Sequence, residues 1–283
     1  MLRAPALWAG LLLGAIGSAN AYAADLYSVP PAPPPPAAMA PAMVPPPGWT
    51  VTIGAEGRIG PVFEGSKRYI PYPFPVFSVR RAGTPVPFSA TRDGFGFSVF
   101  DYGPFSFGPV GNLKLPRRES YDGALRGLGD VNLAVEVGAF AQFWWTPWLR
   151  TRAEVRQGFG GHHGLVADLT GDIVVPATPL LTLSGGPRLS LATNGALQPY
   201  FGIDVSQSLA SGLPVYEAKG GVKSYGAGAK ARYQWTPVWA THAFIEYERL
   251  TAGAANSPLV VQRGSPNQTT FGLGATYSFD IQW

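Results

Sequence analysis

The chain has 283 residues, of which 46% are hydrophobic and only 13% charged, against roughly 25% charged in an ordinary soluble domain. It contains no cysteine, which excludes disulfide frameworks, thiol nucleophiles, iron–sulfur clusters and cysteine-ligated zinc. The net charge is +4 and the mean hydropathy +0.07, too low for a bundle of membrane-spanning helices, while 36 Gly with 8 Trp, 12 Tyr and 16 Phe point to an all-β chain.

The N-terminus reads as a targeting segment. Arg3 supplies a positive start and Ala6–Ile16 an apolar run shorter than the ~20 residues that span a bilayer. Small residues follow in small-x-small order, and the expected signal cleavage lies between Ala23 and Ala24. Residues 24–48 then form a linker in which ten of the eighteen residues from Pro30 to Pro47 are proline. Such a run cannot enter a helix or a central strand, and as a polyproline helix it extends on the order of 55 Å. It serves as a spacer or as a docking segment for a partner.

From Trp49 to Trp283 the pattern has period two, the signature of strands with unlike faces. Val51–Ile59, Tyr72–Arg81, Phe95–Phe100 and Phe105–Leu115 are harder to phase. In Val131–Trp145 the apolar face is interrupted on its polar side by Phe140 and Trp144. In Leu149–Phe159, Arg150, Arg152, Glu154 and Arg156 share one face, and Leu149, Ala153, Val155 and Phe159 the other. Weaker alternation marks Leu165–Val175, Leu181–Leu191, Phe201–Val205, Tyr225–Trp235 and Trp239–Tyr247. The last strand is the clearest: Phe271, Leu273, Tyr277, Phe279 and Trp283 alternate with Gly272, Gly274, Thr276, Ser278 and Asp280.

Strands of about ten residues match a tilted transmembrane strand better than the usual five or six. Aromatics gather near strand ends, at Trp144, Trp145 and Trp148 and at Trp235 and Trp239, where interfacial girdles belong. The expected fold is therefore an antiparallel transmembrane β-barrel of about twelve strands (roughly ten to fourteen) with a wet lumen and an apolar exterior. Arg150, Arg152, Glu154 and Arg156 are the expected lumen charges. Phe271, Tyr277, Phe279 and Trp283 form an aromatic ending that resembles the signal read by the barrel-assembly machinery. A secreted sandwich or lipocalin-like barrel is the competing fold, because one alternating strand cannot tell lipid from a protein core.

Several segments resemble the MipA/OmpV family of outer-membrane proteins. They are Gly60–Ser66, Gly123–Asp130, Arg156–Val166, Tyr200–Ile203, Ser211–Tyr216 and Ser257–Val260. The likeness covers nearly everything after Trp49, with the proline-rich segment outside it. It implies an outer-membrane barrel that scaffolds a murein lytic transglycosylase and a peptidoglycan synthase, without catalytic residues.

The chemical inventory agrees with a non-enzyme and calls for no cofactor. His162 and His163 sit in a Gly-Gly-His-His-Gly turn with no acidic or cysteine neighbour at metal-ligand spacing. His242 shares a face with Glu246 and Glu248, but no Gly-x-Ser-x-Gly elbow accompanies it. Gly220–Gly228 lacks the strand–turn–helix setting of a phosphate loop, and no basic helix suits nucleic acid. The expected partners are outer-membrane lipid, the assembly machinery and wall-remodelling enzymes. The alternatives are a narrow pore for small solutes and a surface adhesin.

Overall fold

In the computed structural model, which describes residues 48–84 and 86–281, alternation along the chain becomes one curled antiparallel sheet. The strands are β1 (Trp49–Pro61), β2 (Tyr69–Arg81), β3 (Phe95–Gly96), β4 (Phe100–Tyr102), β5 (Phe105–Lys114), β6 (Ala134–Thr146), β7 (Leu149–Gly160), β8 (Leu165–Pro176), β9 (Leu181–Ala192), β10 (Gly221–Gln234), β11 (Trp239–Leu250) and β12 (Asn267–Ile281). Each long strand pairs with its neighbour in sequence, and β1 closes back onto β12 with Trp49 opposite Ile281 and Ile59 opposite Phe271. The chain is a nearly closed antiparallel β-barrel. The signal segment, the proline-rich linker and Trp283 lie outside the described residues.

Ten strands run the full height of the wall. β3 and β4 share an eleventh place, since both pair with β5. Directions follow from register. β2 descends to Arg81 beside Trp49, β3–β4 descends antiparallel to β5, and β5 rises to Lys114. Two neighbouring wall places therefore run the same way. The chain manages this by sending residues 82–94 back through the interior between them.

The two faces sort by solvent. Val137, Val155, Phe159, Leu169, Ile173, Phe271 and Leu273 are exposed on the outside, as lipid demands, while Glu136, Arg150, Glu154, Arg156, Asp168 and Asp172 are buried inside. At the tight-turn end Trp145 donates from Nε1 to Thr151 Oγ1 at 3.0 Å, and Trp235 to Thr241 Oγ1 at 2.9 Å. An indole at the membrane surface thus keeps its one polar atom satisfied.

At the opposite end the connections are long and fold on one another. Helices α1 (Asn194–Phe201), α2 (Val205–Ser211), α3 (Ala252–Ala255) and α4 (Pro258–Arg263) pack with residues 62–68 and 115–133. One apolar cluster gathers Leu197, Tyr200, Phe201, Leu250, Ala254 and Val260; a second joins Phe63, Leu125, Leu128, Ile203, Leu213 and Leu259. Phe201–Val205 is thus not a strand, contrary to its weak alternation. Phe201 ends α1 and Asp204 caps α2, accepting from Gln207 N while the Gln207 side chain accepts from Asp204 N. That reciprocal cap, with Gly212 left-handed at φ 74° after the last turn, settles the segment as helix. Phe95–Phe100 is also not one strand: it breaks into β3 and β4 around residues 97–99.

Candidate functional site: the lumen and its inner segment

The lumen is a lattice of charge assembled by the even-numbered residues of β7. Arg150 is fully buried and reaches Asp93 at 2.7 Å and Asp172 at 3.3 Å; Asp172 also holds Arg188 at 2.7 Å. Arg152 bonds Glu154 at 2.7 Å and lies 3.7 Å above the Phe140 ring. Arg156 reaches Glu136 at 2.9 Å and also pairs with Glu154 and Asp168. His162 bonds Glu136 at 3.1 Å, and His242 bonds Glu56 at 2.7 Å beside Arg58. Opposite charges alternate around the wall, so most of the lumen's ionic groups are paired. This is how a charged interior tolerates burial.

Residues 82–94 fill part of that space. Arg92 crosses the lumen to Glu246, to Glu248 at 3.0 Å and to Asp168 at 3.8 Å. Thr91 donates to Glu246, and the Gly94 amide donates to Glu154 at 3.1 Å. Phe88 meets Trp144 edge-on at 6.0 Å and lies 5.1 Å from the Arg150 guanidinium. Of the two side chains that disturb the polar face of β6 in sequence, Trp144 meets Phe88 of the inner segment and Phe140 lies under Arg152. The remaining cavity measures about 920 Å³.

The roof meets the lumen at Glu64, which receives Lys114 and Lys223 at 2.6 Å each. Burial raises the Glu64 carboxyl, but the two ammonium groups overcome it and hold the carboxyl well below its usual range. Arg117, buried beneath the roof, donates to the Tyr200 carbonyl at 2.7 Å, and burial lowers its guanidinium to about 10.

The family model of the MltA-interacting protein MipA matches residues 53–279. This chain belongs to the MipA family. No curated protein sequence matches it. Among solved structures it is similar to the outer-membrane channel COG4313 from Pseudomonas putida F1 at 11% identity and TM-score 0.40, covering 83% of this chain and 97% of that one. The monoaromatic hydrocarbon channel CymD gives 10% identity and TM-score 0.39, with 84% and 90% covered. The KdgM porin gives 12% identity and TM-score 0.36, with 81% and 99% covered.

Of the residues singled out from sequence, Arg150, Arg152, Glu154 and Arg156 all face the lumen of this MipA-family barrel. Phe271, Tyr277 and Phe279 are exposed on the outer face of β12. Trp283, Ala23 and Ala24 lie outside the described residues. His162 is buried under the roof, and its neighbour His163 does not join it there. Sequence reading missed Arg92 and Asp93 as lumen residues. Their one signal was a charged pair in a Pro- and Gly-bounded stretch between two strands, which reads equally well as an exposed loop.

Proposed function

We propose that this barrel is a membrane anchor for cell-wall remodelling, holding a murein lytic transglycosylase and a peptidoglycan synthase at the inner side of the outer membrane. The observation that carries the reading is the partly filled lumen. Its inner segment is tied to three strands, β7, β8 and β11, through Arg92, Asp93 and Gly94, an arrangement suited to an anchor more than to a diffusion pore. The family description, an MltA-interacting protein, supplies the transglycosylase as partner.

Outer-membrane barrels turn short connections to the periplasm and long ones outward. On that rule Trp49 and Ile281 mark the periplasmic rim. The signal peptide is cleaved after Ala23, and the linker 24–48 follows it in sequence. The aromatic ending of β12 guides assembly, and the chain performs no catalysis itself. Crosslinking in intact envelopes followed by mass spectrometry tests the reading, together with planar-bilayer recording of the purified barrel. Adducts with a lytic transglycosylase and an electrically silent bilayer support it. Stable stepwise conductance without wall-enzyme adducts overturns it in favour of a pore for small solutes.

A further inference from the structure

Among the described residues the barrel wall is paired by backbone hydrogen bonds everywhere except between β2 and the β3–β4 place. The reason is written in β2. The Ala82 amide donates to the Gly48 carbonyl at 3.1 Å, so even-numbered residues of β2 turn their amides to β1 and odd-numbered ones turn away. Pro71, Pro73 and Pro75 are odd. Three successive positions on the outer edge thus have no N–H to offer, although the edge facing β1 keeps every donor. The opposite bank is equally unfit to pair. β3 and β4 are two and three residues long, and their register on β5 slips by one residue between Gly96↔Val110 and Phe100↔Phe107.

The lumen cavity reaches this unpaired edge. It is bounded by the inward side chains Tyr72 and Phe74, and also by Pro75 and Phe77, which face outward from the same strand. Across the seam it is bounded by Phe97, which is about half exposed at 47%. The cavity therefore extends to the seam. What stands in the gap is a pair of rings: Phe74 and Phe95 stack at 6.1 Å and 9°, with the Arg58 guanidinium 3.7 Å from the Phe74 centroid. Meanwhile the loops roof one end of the barrel and residues 82–94 thread the interior.

We propose that the β2–β3 seam is a lateral port through which an amphipathic anion with one apolar chain passes between the bilayer and the lumen. The apolar chain suits Tyr72, Phe74, Phe95 and Phe97. The outward carbonyls of β2, which no strand pairs among the described residues, require a wet or polar neighbour, which a wholly apolar molecule would not supply. The anion suits Lys230 and Arg80, both lining the cavity. Among the described residues these form no ion pair; Lys230 donates to the Ser89 carbonyl at 3.1 Å and Arg80 to the Thr84 carbonyl at 3.1 Å. A second copy of the chain pairing edge to edge is disfavoured by the missing donors.

The port is independent of the anchoring role, and its test leaves that role untouched. The chain has no cysteine, so Phe74→Cys with Phe95→Cys places two unique thiols across the seam for a reducible bis-maleimide. The full chain is refolded in phospholipid vesicles, and dansyl-undecanoate loading is followed by energy transfer from tryptophan. Saturable loading is expected, slowed at least about tenfold by the bridge and restored when the bridge is reduced. Equal loading rates with the bridge closed and open, or a signal that grows without saturating, overturn the port. Bridges that join two chains instead of one make the seam an interface between copies and also overturn it. If the first pair fails to give the heat-modifiable folded form, Val76→Cys with Phe97→Cys is read by the same criteria. Lys230→Gln should weaken dansyl-undecanoate binding but leave dansyl-undecanol unchanged. Equal effects on both remove the anion from the proposal.

Discussion

Side chains one position apart on β7 live in different solvents, and substitutions there should show it. Val155 is about half exposed toward lipid at 53%, where an Arg near the bilayer midplane costs about 2–4 kcal/mol. Arg152 lies inside, and removing it leaves Glu154 with Arg156 and the Gly94 amide as partners. Val155→Arg should therefore lower stability more than Arg152→Val does, measured by denaturant unfolding in lipid vesicles. Equal losses would mean that the outward face of β7 does not meet the hydrocarbon. At the roof, Glu64 gives a pH signature whose sign can be stated. Lys114 and Lys223 depress its folded-state value below the ordinary 4.5, so its contribution is complete above about 4.5 and fades as pH falls toward the folded value. Glu64→Gln should reduce stability at neutral pH and narrow the gap to the parent as pH drops below about 4.5. Unfolding midpoints of the two proteins across that range check it. A constant gap would mean that the two lysines do not hold the carboxylate. Gly158 shows the same economy of space: a Cβ there would overlap the His162 ring, so a small residue keeps His162 on Glu136.

Among the elements, residues 86–94 are held inside the lumen by charged and backbone contacts. They enter from the tight-turn end after Arg81 and reach mid-lumen at Gly94, where the chain turns down again as β3 and β4. Arg92→Gln with Asp93→Asn removes both charged grips, while Arg150 retains Asp172 and Glu246 retains Thr91. This double variant should fold and should show conductance steps in planar bilayers where the parent is silent. Continued silence would assign the hold to Phe88 against Trp144 and Arg150. The long strands were legible in the sequence because lipid on one side and water on the other impose strict alternation over ten or more residues. β6, β7 and β12 show it most clearly. The short helices were not legible, because α2 and α4 have seven and six residues. That is too short for a helical period to stand out, and their stability comes from the roof clusters into which they pack.

For the whole molecule, the first and last strands meet: Trp49 opposes Ile281 at the tight-turn rim. An even strand count would bring the termini together by simple alternation. Here the wall has eleven places, and the passage of residues 82–94 through the lumen supplies the missing reversal. With the tight-turn rim facing the periplasm, a protease-sensitive tag placed after Ala24 should survive protease added to intact cells. It should be cut once the outer membrane is permeabilised. Cleavage in intact cells would invert the barrel and remove the basis for anchoring wall enzymes.

Alternating polarity over long strands and aromatic girdles pointed to a membrane barrel, since they answer directly to the two solvents that each strand touches. Arg150 to Arg156 could be placed on one face for the same reason, by counting in twos. Which carboxylate each guanidinium meets was decided only in three dimensions, because Asp93, Asp172, Glu136 and Asp168 come from other parts of the chain. The inner segment, the roof and the seam belong to that class too. Each depends on contacts between residues distant in sequence, or on which edge of β2 its prolines leave bare. Period-two patterning tells one face of a strand from the other, but it carries no information about which edge of the strand has a neighbour.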